Sequence, residues 1–170
     1  MATSTTHVSF ENTIICQDCV VGDNVTIGKG TVLHPRATII SKNGAPIIIG
    51  DNNIIEELVT ITNTSDQPMT IGSRNLFEVG SVIEAKSIGN DNVVETKAKV
   101  SAGTVIDNGC VVGACCITPE NEHLKDCEGL YGPTLARTKS TIPRDMHNST
   151  HDRHLELLHK TLPNFHQMKR

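Results

Sequence analysis

The chain has 170 residues, 15 basic against 19 acidic for a formal net charge of −4, with three Phe, one Tyr and no Trp. No Lys/Arg stripe is present to neutralise phosphates, which excludes nucleic acid as a partner, and no run approaches the ~18 apolar residues of a membrane span, which excludes direct membrane insertion. So little aromatic bulk suits a thin core of stacked Ile, Val and small residues better than an ordinary globular core.

The length fits one domain, or one domain with an appendage. The opening Met-Ala-Thr-Ser-Thr-Thr-His is polar and has no apolar h-region, so no signal peptide is read and a cytoplasmic location is expected. From Ile15 onward an aliphatic residue recurs every six positions: Ile15, Val21, Ile27, Leu33 and Ile39. The beat resumes at Ile49, Ile55 and Ile61, again at Ile71, Phe77 and Ile83, and finally at Ile88, Val94, Val100, Ile106 and Val112. Six-residue beats of this kind mark a parallel β-helix, in which each turn buries its apolar side against its neighbours. The expected fold is an all-β solenoid, a left-handed parallel β-helix of hexapeptide repeats over residues 1–132. At three hexapeptides per turn the anchors make about five coils. The position four after each anchor is almost always small, as in Cys19, Thr31, Ala37, Ser81, Ala98, Thr104, Cys110 and Cys116, which fits close approach inside a narrow core. Cysteines in that slot read as compact hydrophobes; Cys16-x-x-Cys19 lacks the second pair that a zinc site needs.

One phrase occurs three times: Ile49-Gly50-Asp51-Asn52-Asn53-Ile54-Ile55-Glu56, Ile71-Gly72-Ser73-Arg74-Asn75-Leu76-Phe77-Glu78 and Ile88-Gly89-Asn90-Asp91-Asn92-Val93-Val94-Glu95. If Ile27, Ile49, Ile71, Ile88 and Ile106 share one wall, their spacings are 22, 22, 17 and 18, where a regular coil needs 18. All the irregularity then falls at one corner, in residues 41–46, 62–68 and the short step before Ile88. Such insertions are either tolerated surface loops or an interaction face. Alignment of the coils stacks Asn53, Asn75 and Asn92, with Thr31 in the same slot one coil earlier; stacked amides hydrogen-bond along the column and stabilise it. It also stacks Glu56, Glu78 and Glu95, with His34 at the N-terminal end. Like charges on adjacent strands repel, so this is either a solvated acidic stripe or a candidate interaction column. In the second case His34 is expected to support Glu56, and an Arg or Lys to serve the other carboxylates.

After Cys116 the beat fades, and Leu130-Tyr131-Gly132 reads as a strand closing the last coil. Residues 133–148 read as an extended linker. Ser149-Thr150-His151-Asp152 then offers a cap for a C-terminal α-helix, with Leu155, Leu158 and Leu162 at helical spacing and Pro163 as its stop, so that residues 149–170 read as helix and tail packing on the β-helix. That single apolar stripe needs a surface, and the flank of the solenoid is the nearest. His147, His151 and His154 have the i, i+4, i+7 spacing of metal ligands, but no carboxylate or thiolate completes a set, and solvent-facing side chains are expected.

Hexapeptide solenoids divide into acyltransferases, γ-class carbonic anhydrases and non-catalytic assembly subunits. Their catalytic members use histidines on the coils as general base or zinc ligand. Here the eight histidines are at 7, 34, 123, 147, 151, 154, 159 and 166, and none lies between Pro35 and Glu122. Residues 71–85 resemble the γ-class carbonic anhydrase family's Ile-Gly-x-x-x-His-Ile-Gly-His-Gly-x-x-Leu-His pattern. The three zinc-ligand positions of that family fall on Thr62, Val79 and Glu84. Thr and Val cannot replace imidazoles, so no metal or other cofactor is expected. The remaining enzymatic reading is a hexapeptide-repeat enzyme that uses His34 or a C-terminal histidine.

A broader resemblance rests on Val25-Thr26-Ile27-Gly28, Val32-Leu33-His34-Pro35, Ile54-Ile55-Glu56-Glu57, Phe77-Glu78-Val79-Gly80, Gly109-Cys110-Val111-Val112-Gly113-Ala114-Cys115-Cys116 and Leu162-Pro163-Asn164-Phe165. On these residues the chain resembles the dynactin subunit 6 family of pointed-end dynactin subunits. The resemblance implies a left-handed β-helix with a C-terminal helix and a non-catalytic place in the dynactin pointed-end complex, supporting dynein-based transport and cargo attachment. The partners it implies are a second β-helical subunit (dynactin subunit 5), the pointed-end actin-related protein and other dynactin subunits. Residues 62–69 are shorter than the family's loop, and residues 118–144 match it poorly.

Overall fold

A computed structural model describes residues 7–8, 11–139 and 144–169, with residues 7, 8, 144, 145 and 147 described by backbone alone. The aliphatic beat winds into a left-handed parallel β-helix of about six turns. Strands of two to four residues form three walls. The first wall stacks His7–Val8, Val25–Ile27, Ile47–Ile49, Met69–Ile71, Ser87–Ile88, Val105–Ile106 and His123–Leu124. The second stacks Ile14–Ile15, Val32–Leu33, Ile54–Ile55, Leu76–Phe77, Val93–Val94, Val111–Val112 and Glu128–Tyr131, and the third Val20–Val21, Thr38–Ser41, Thr60–Asn63, Val82–Ile83 and Lys99–Val100. Every strand pairs in parallel with the equivalent strand of the coils above and below, apart from the antiparallel strand Ala136–Lys139 on the edge of the second wall.

The register puts Ile27, Ile49, Ile71, Ile88 and Ile106 side by side. The side-chain alternation of a strand then fills the interior: in Val25-Thr26-Ile27 and Ile47-Ile48-Ile49 the middle residue faces out and its neighbours are buried. Phe77 is the one aromatic ring in the core among the described residues. The stack continues past the last anchor seen in the sequence, because Leu124 and Leu130 lie 18 residues after Ile106 and Val112 and pair with them. The expected five coils therefore fall short by one.

Each turn must bend the chain sharply, and a left-handed residue three places after the inward anchor does this. Gly30, Asn52, Arg74, Asp91 and Gly109 (φ 56–67°) occupy one corner, and Arg36, Leu58, Gly80, Lys97 and Cys115 (φ 56–70°) the next. A non-glycine residue there costs roughly 1–2 kcal/mol; the fixed winding imposes the conformation on whatever residue arrives. Glycine is required only where coils touch. A Cβ on Gly72 would lie 2.5 Å from the Gly89 carbonyl oxygen, and one on Gly50 2.8 Å from that of Gly72.

The corner insertions are ordered against each other. Thr38–Ser41 and Thr60–Asn63 extend their pairing to Ser41↔Asn63. Asn63 Nδ2 donates to the Gln67 carbonyl (2.9 Å), and Asn43 Nδ2 to that of Thr64 (3.0 Å).

The C-terminal part differs from the extended linker and short helix expected. Ala136–Lys139 folds back antiparallel on Glu128–Tyr131, and the helix runs Arg144–Phe165. It begins five residues before Ser149 because the Ser149 and Thr150 hydroxyls donate back to the Met146 carbonyl (3.0 and 3.1 Å) instead of capping. Pro163 lies inside the last turn, where its missing N–H removes one helical bond, that to the His159 carbonyl. Leu155, Leu158 and Leu162 pack on the outward residues of the second wall: Ile14, Val32, Ile54 and part of Leu76. The outer face of that wall is the most continuously aliphatic of the three: outside the first wall Ile48 and Val105 are interspersed with Thr26, Thr70 and Ser87, and outside the third Val20 and Val82 with Thr38, Thr60 and Lys99.

Candidate interaction column

The register of the second wall aligns Leu33, Ile55, Phe77 and Val94, so the residues that follow, His34, Glu56, Glu78 and Glu95, form one edge of the stack. The three carboxylates are half-buried. Each turns along the stack: Glu56 Oε2 accepts the Val79 N–H (3.0 Å), Glu78 Oε2 accepts the Thr96 N–H and hydroxyl (both 2.9 Å), and Glu95 Oε2 accepts the Ala114 N–H (2.8 Å). In every case the donor is the residue after the equivalent position one coil on, which beyond Glu95 is Gly113. The Arg or Lys expected to serve Glu78 and Glu95 is replaced by backbone N–H groups, which corner geometry leaves without a ladder partner.

His34 departs from expectation in the same way. Its Nδ1 lies 3.1 Å from Glu57 Oε1, not on Glu56, and so forms the first rung of the ladder with a side chain where the later rungs use backbone. The ring is 7% exposed, and its Nε2 is buried with no hydrogen-bond partner. Burial would raise the Glu57 carboxyl, but the His34 hydrogen bond and charge hold it below the ordinary carboxylate range. Burial pushes Glu56 up, against the lowering effect of the Val79 N–H and His34.

Inside the same corner the amides form a second ladder. Asn53, Asn75 and Asn92 are buried. Asn53 Oδ1 accepts from the Asn75 N–H (2.9 Å) and Asn75 Nδ2 (3.0 Å); Asn75 Oδ1 accepts the Asn92 N–H (3.0 Å), and Asn92 Oδ1 the Cys110 N–H (2.7 Å). Thr31 Oγ1 begins the ladder by accepting the Asn53 N–H. An outer ladder escaped the sequence reading: Asp51, Ser73, Asn90, Asn108 and Asp126 each accept the N–H of the equivalent residue one coil earlier, at 2.8–3.0 Å. Its signal is the side-chain acceptor that stands two places after each first-wall anchor from Ile49 onward.

The helix is clasped to this corner. Arg74 Nε pairs with Asp91 (3.0 Å), its Nη1 with Asp152 (2.7 Å), and its Nη2 donates to the Asn148 carbonyl (3.1 Å). His151, expected to face solvent, is 6% exposed, with Nε2 2.8 Å from the Asn52 carbonyl; His159 Nε2 lies 3.3 Å from the Gly30 carbonyl. Of the three histidines at ligand-like spacing His151 thus serves helix docking, joined by His159 outside that set, because left-handed corner residues turn carbonyls outward toward the helix. His154 is half-buried, and the side chain of His147 is outside the described residues.

Of the positions matching zinc ligands of the carbonic anhydrase pattern, Thr62 is buried opposite Ile40 on the third wall, Val79 sits at the corner and Glu84 pairs with Lys99 (3.1 Å). Among the described residues no group of three His, Cys, Asp or Glu is placed to hold a metal ion. Cys16, Cys19, Cys110 and Cys116 are buried thiols, Cys115 is exposed and Cys127 half-buried. Burial pushes Cys16 up to about 12, and Cys19 and Cys110 to about 11.

No family model matches the chain. It is 52% identical over 174 residues to dynactin subunit 6 of Dictyostelium discoideum, covering 99% of this chain and 90% of that one. It is 40% identical over 170 residues to dynactin subunit 6 of Nematostella vectensis, covering 92% and 89%. The chain belongs to the dynactin subunit 6 family. Among solved structures it superposes on a hexapeptide transferase family protein from Anaplasma phagocytophilum (TM-score 0.80, 14% identity, 94% and 95% covered) and on a putative acetyltransferase from Bacillus cereus (TM-score 0.75, 14% identity, 94% and 93% covered). At that identity the likeness is one of fold. This dynactin subunit 6 family member thus shares its winding with proteins named as transferases, while its sequence relatives carry the dynactin name. No helix among its described residues is long and apolar enough to cross a membrane.

Proposed function

We propose that the chain is a non-catalytic structural subunit of the dynactin pointed-end complex, supporting dynein-based transport and cargo attachment in the cytoplasm, in association with the cytoskeleton. The observation that carries this reading is the 52% identity to a dynactin subunit 6 over nearly the whole chain. The polar geometry is consistent with it: the column carboxylates are committed to backbone N–H groups of the next coil, and His151 and His159 to corner carbonyls, so these groups hold the prism and its helix together. The partners on this reading are a second β-helical subunit (dynactin subunit 5), the pointed-end actin-related protein and other dynactin subunits. The rigid column of His34, Glu56, Glu78 and Glu95 is the candidate contact edge. Pull-down from cytosol with the tagged chain tests the assignment. Recovery of the actin-related filament with the other pointed-end subunits is expected; their absence from the eluate under conditions that keep dynactin intact refutes it.

A second reading, a hexapeptide-repeat enzyme using His34, has one observation in its favour: an imidazole oriented by a carboxylate with its other nitrogen unpartnered. Against it, that nitrogen is buried. Bicarbonate hydration and esterase assays, with metal content measured in parallel, separate the two. Turnover abolished by His34→Gln would establish the enzyme.

A further inference from the structure

The chain contains two Asn-Gly pairs, Asn43-Gly44 and Asn108-Gly109. In such a pair a backbone nitrogen most readily attacks the side-chain amide before it, because glycine puts no Cβ in the way and leaves the backbone free to turn. Both glycines have positive φ, 77° at Gly44 and 65° at Gly109. Composition and local conformation therefore do not separate the two sites, but their hydrogen bonds do.

Asn108-Gly109 is built into the winding. The Gly109 N–H donates to the Asn90 carbonyl (2.9 Å). The Asn108 N–H and Nδ2 both donate to Asp126 Oδ1 (2.9 and 3.0 Å), and Asn108 Oδ1 accepts the Asn90 N–H (2.9 Å) and Nδ2 (3.2 Å). Attack there requires both the nitrogen and the amide carbon to be released from the neighbouring coils. Asn43-Gly44 stands in the corner insertion, residues 41–46, and both residues are exposed. The Gly44 N–H has no hydrogen-bond partner among the described residues. Apart from its chain neighbours, no atom lies within 4 Å of where a Cβ on Gly44 would stand. One bond holds the Asn43 side chain, from Nδ2 to the Thr64 carbonyl (3.0 Å).

We infer that Asn43 is a site of spontaneous modification in the folded protein, and that the winding withholds the same chemistry from Asn108. The reactant is water. Hydroxide takes the Gly44 N–H proton, the nitrogen bonds to Asn43 Cγ, and the Cγ–Nδ2 bond breaks. The amide nitrogen leaves as ammonia with a proton from water, which returns the hydroxide and leaves a succinimide ring. Water then opens that ring, to aspartate at Cγ or to isoaspartate at the Asn43 backbone carbonyl. Either product carries one more negative charge and has lost the donor to Thr64. In the isoaspartyl product the main chain also runs through Cβ and is one bond longer. Residues 41–46 thereby lose their side-chain tie to residues 62–68, while the Ser41↔Asn63 pairing still holds the third wall. The modification changes the charge and freedom of one corner without unwinding a coil. The inference is independent of the dynactin reading.

The test ages the full chain in mildly alkaline buffer with a thiol reductant, folded in one sample and unfolded in urea in another, and follows both peptides by mass spectrometry. In the folded chain Asn43 is expected to convert at least about tenfold faster than Asn108, since freeing the Gly109 N–H and the Asn108 side chain each forfeits a net hydrogen bond. In urea the two rates are expected to converge. Asn43→Gln is expected to stop conversion in that peptide, because glutamine would have to close a six-membered ring. Equal rates in the folded chain overturn the inference. So does a difference that persists in urea, where the fold is no longer its cause, or an Asn43 that converts only in urea. Amide hydrogen exchange on the aged chain is expected to quicken in residues 41–46 and 62–68. Unchanged exchange in both segments overturns the part given to the Thr64 bond.

Discussion

Truncating Asn75 to Ala separates the inner amide ladder from the outer one. Asn75 is fully buried; its Nδ2 donates to the Gly89 carbonyl (2.9 Å), and its Oδ1 accepts the Asn92 N–H (3.0 Å). Asn53 Oδ1 loses one donor but keeps the Asn75 N–H, so one buried group is orphaned, the Asn92 N–H, and one part-buried group, the Gly89 carbonyl. At about 1–3 kcal/mol for the first and about 0.5–1 kcal/mol for the second, the loss is about 3 kcal/mol. Ser73→Ala, two residues away in the same coil, also removes an acceptor of a backbone N–H, that of Asp51 (3.0 Å). That corner is only half-buried, water can replace the hydroxyl, and the loss is about 0.5–1 kcal/mol. Urea unfolding reads both, as a lowered midpoint at unchanged slope. If Asn75→Ala costs less than about 1 kcal/mol, or if the two variants cost the same, burial is not what gives the inner ladder its weight.

In the outer column, Glu78→Gln keeps an oxygen for the Thr96 N–H and is expected to stay within about 1 kcal/mol of the parent, whereas Glu78→Ala orphans that N–H and costs about 1–3 kcal/mol in the same titration. If Glu78→Gln also leaves recovery of dynactin subunits unchanged, the column has no part in binding. Glu56 and Glu57 are expected to titrate with opposite signs. The folded value of Glu57 is depressed, so its contribution is present above the ordinary carboxylate range and lost as pH falls through the folded value; Glu57→Gln should flatten that acid limb of the stability curve. The folded value of Glu56 is raised, so the charged form is the less favoured at neutral pH. Glu56→Gln should unfold at higher urea than the parent at neutral pH, with the gain gone where the parent carboxyl is protonated. Arg74→Ala removes the hydrogen bonds to Asp152 and Asn148 and is expected to cost about 1.5–3 kcal/mol. Amide hydrogen exchange should quicken in the first half of the helix while the coils keep their protection.

The winding was legible because an interior only a few side chains wide admits few substitutions: sixteen aliphatic or aromatic anchors at a spacing of six have no other common explanation. Three walls, the shared wall of Ile27 through Ile106 and the small inner slots all follow from that spacing. The sixth coil was hidden because Pro119, Asn121 and His123 break the composition of the beat, although Leu124 keeps its spacing. Partners were harder to read than positions. His34, Glu56, Glu78 and Glu95 do align, but what each carboxylate binds depends on which backbone N–H groups the corners leave free, and a residue pattern does not carry that information. The docking role of the helix histidines is hidden for a related reason: His151, expected to face solvent, and His159, given no role of its own, lie beside the leucine stripe, and only the outward Asn52 and Gly30 carbonyls give them a use.

The placement of amides inside and carboxylates outside follows from hydrogen-bond valence. In an in-register parallel stack, equivalent residues lie about 4.8 Å apart whether or not their side chains are compatible. An amide carries both donor and acceptor, so a column of Asn can bond along itself and to the passing backbone while fully buried. A carboxylate is acceptor-only, and two of them in line cannot satisfy each other. A Glu column therefore holds together only where each member finds an N–H that the ladder does not use, which in this winding is the first residue of the next corner: Val79, Thr96 and Ala114. His34 opens the column because no earlier carboxylate stands there, and its ring nitrogen meets the Glu57 side chain instead. One oxygen of each Glu is thereby fixed to the stack, and the column acts on anything outside it through the other.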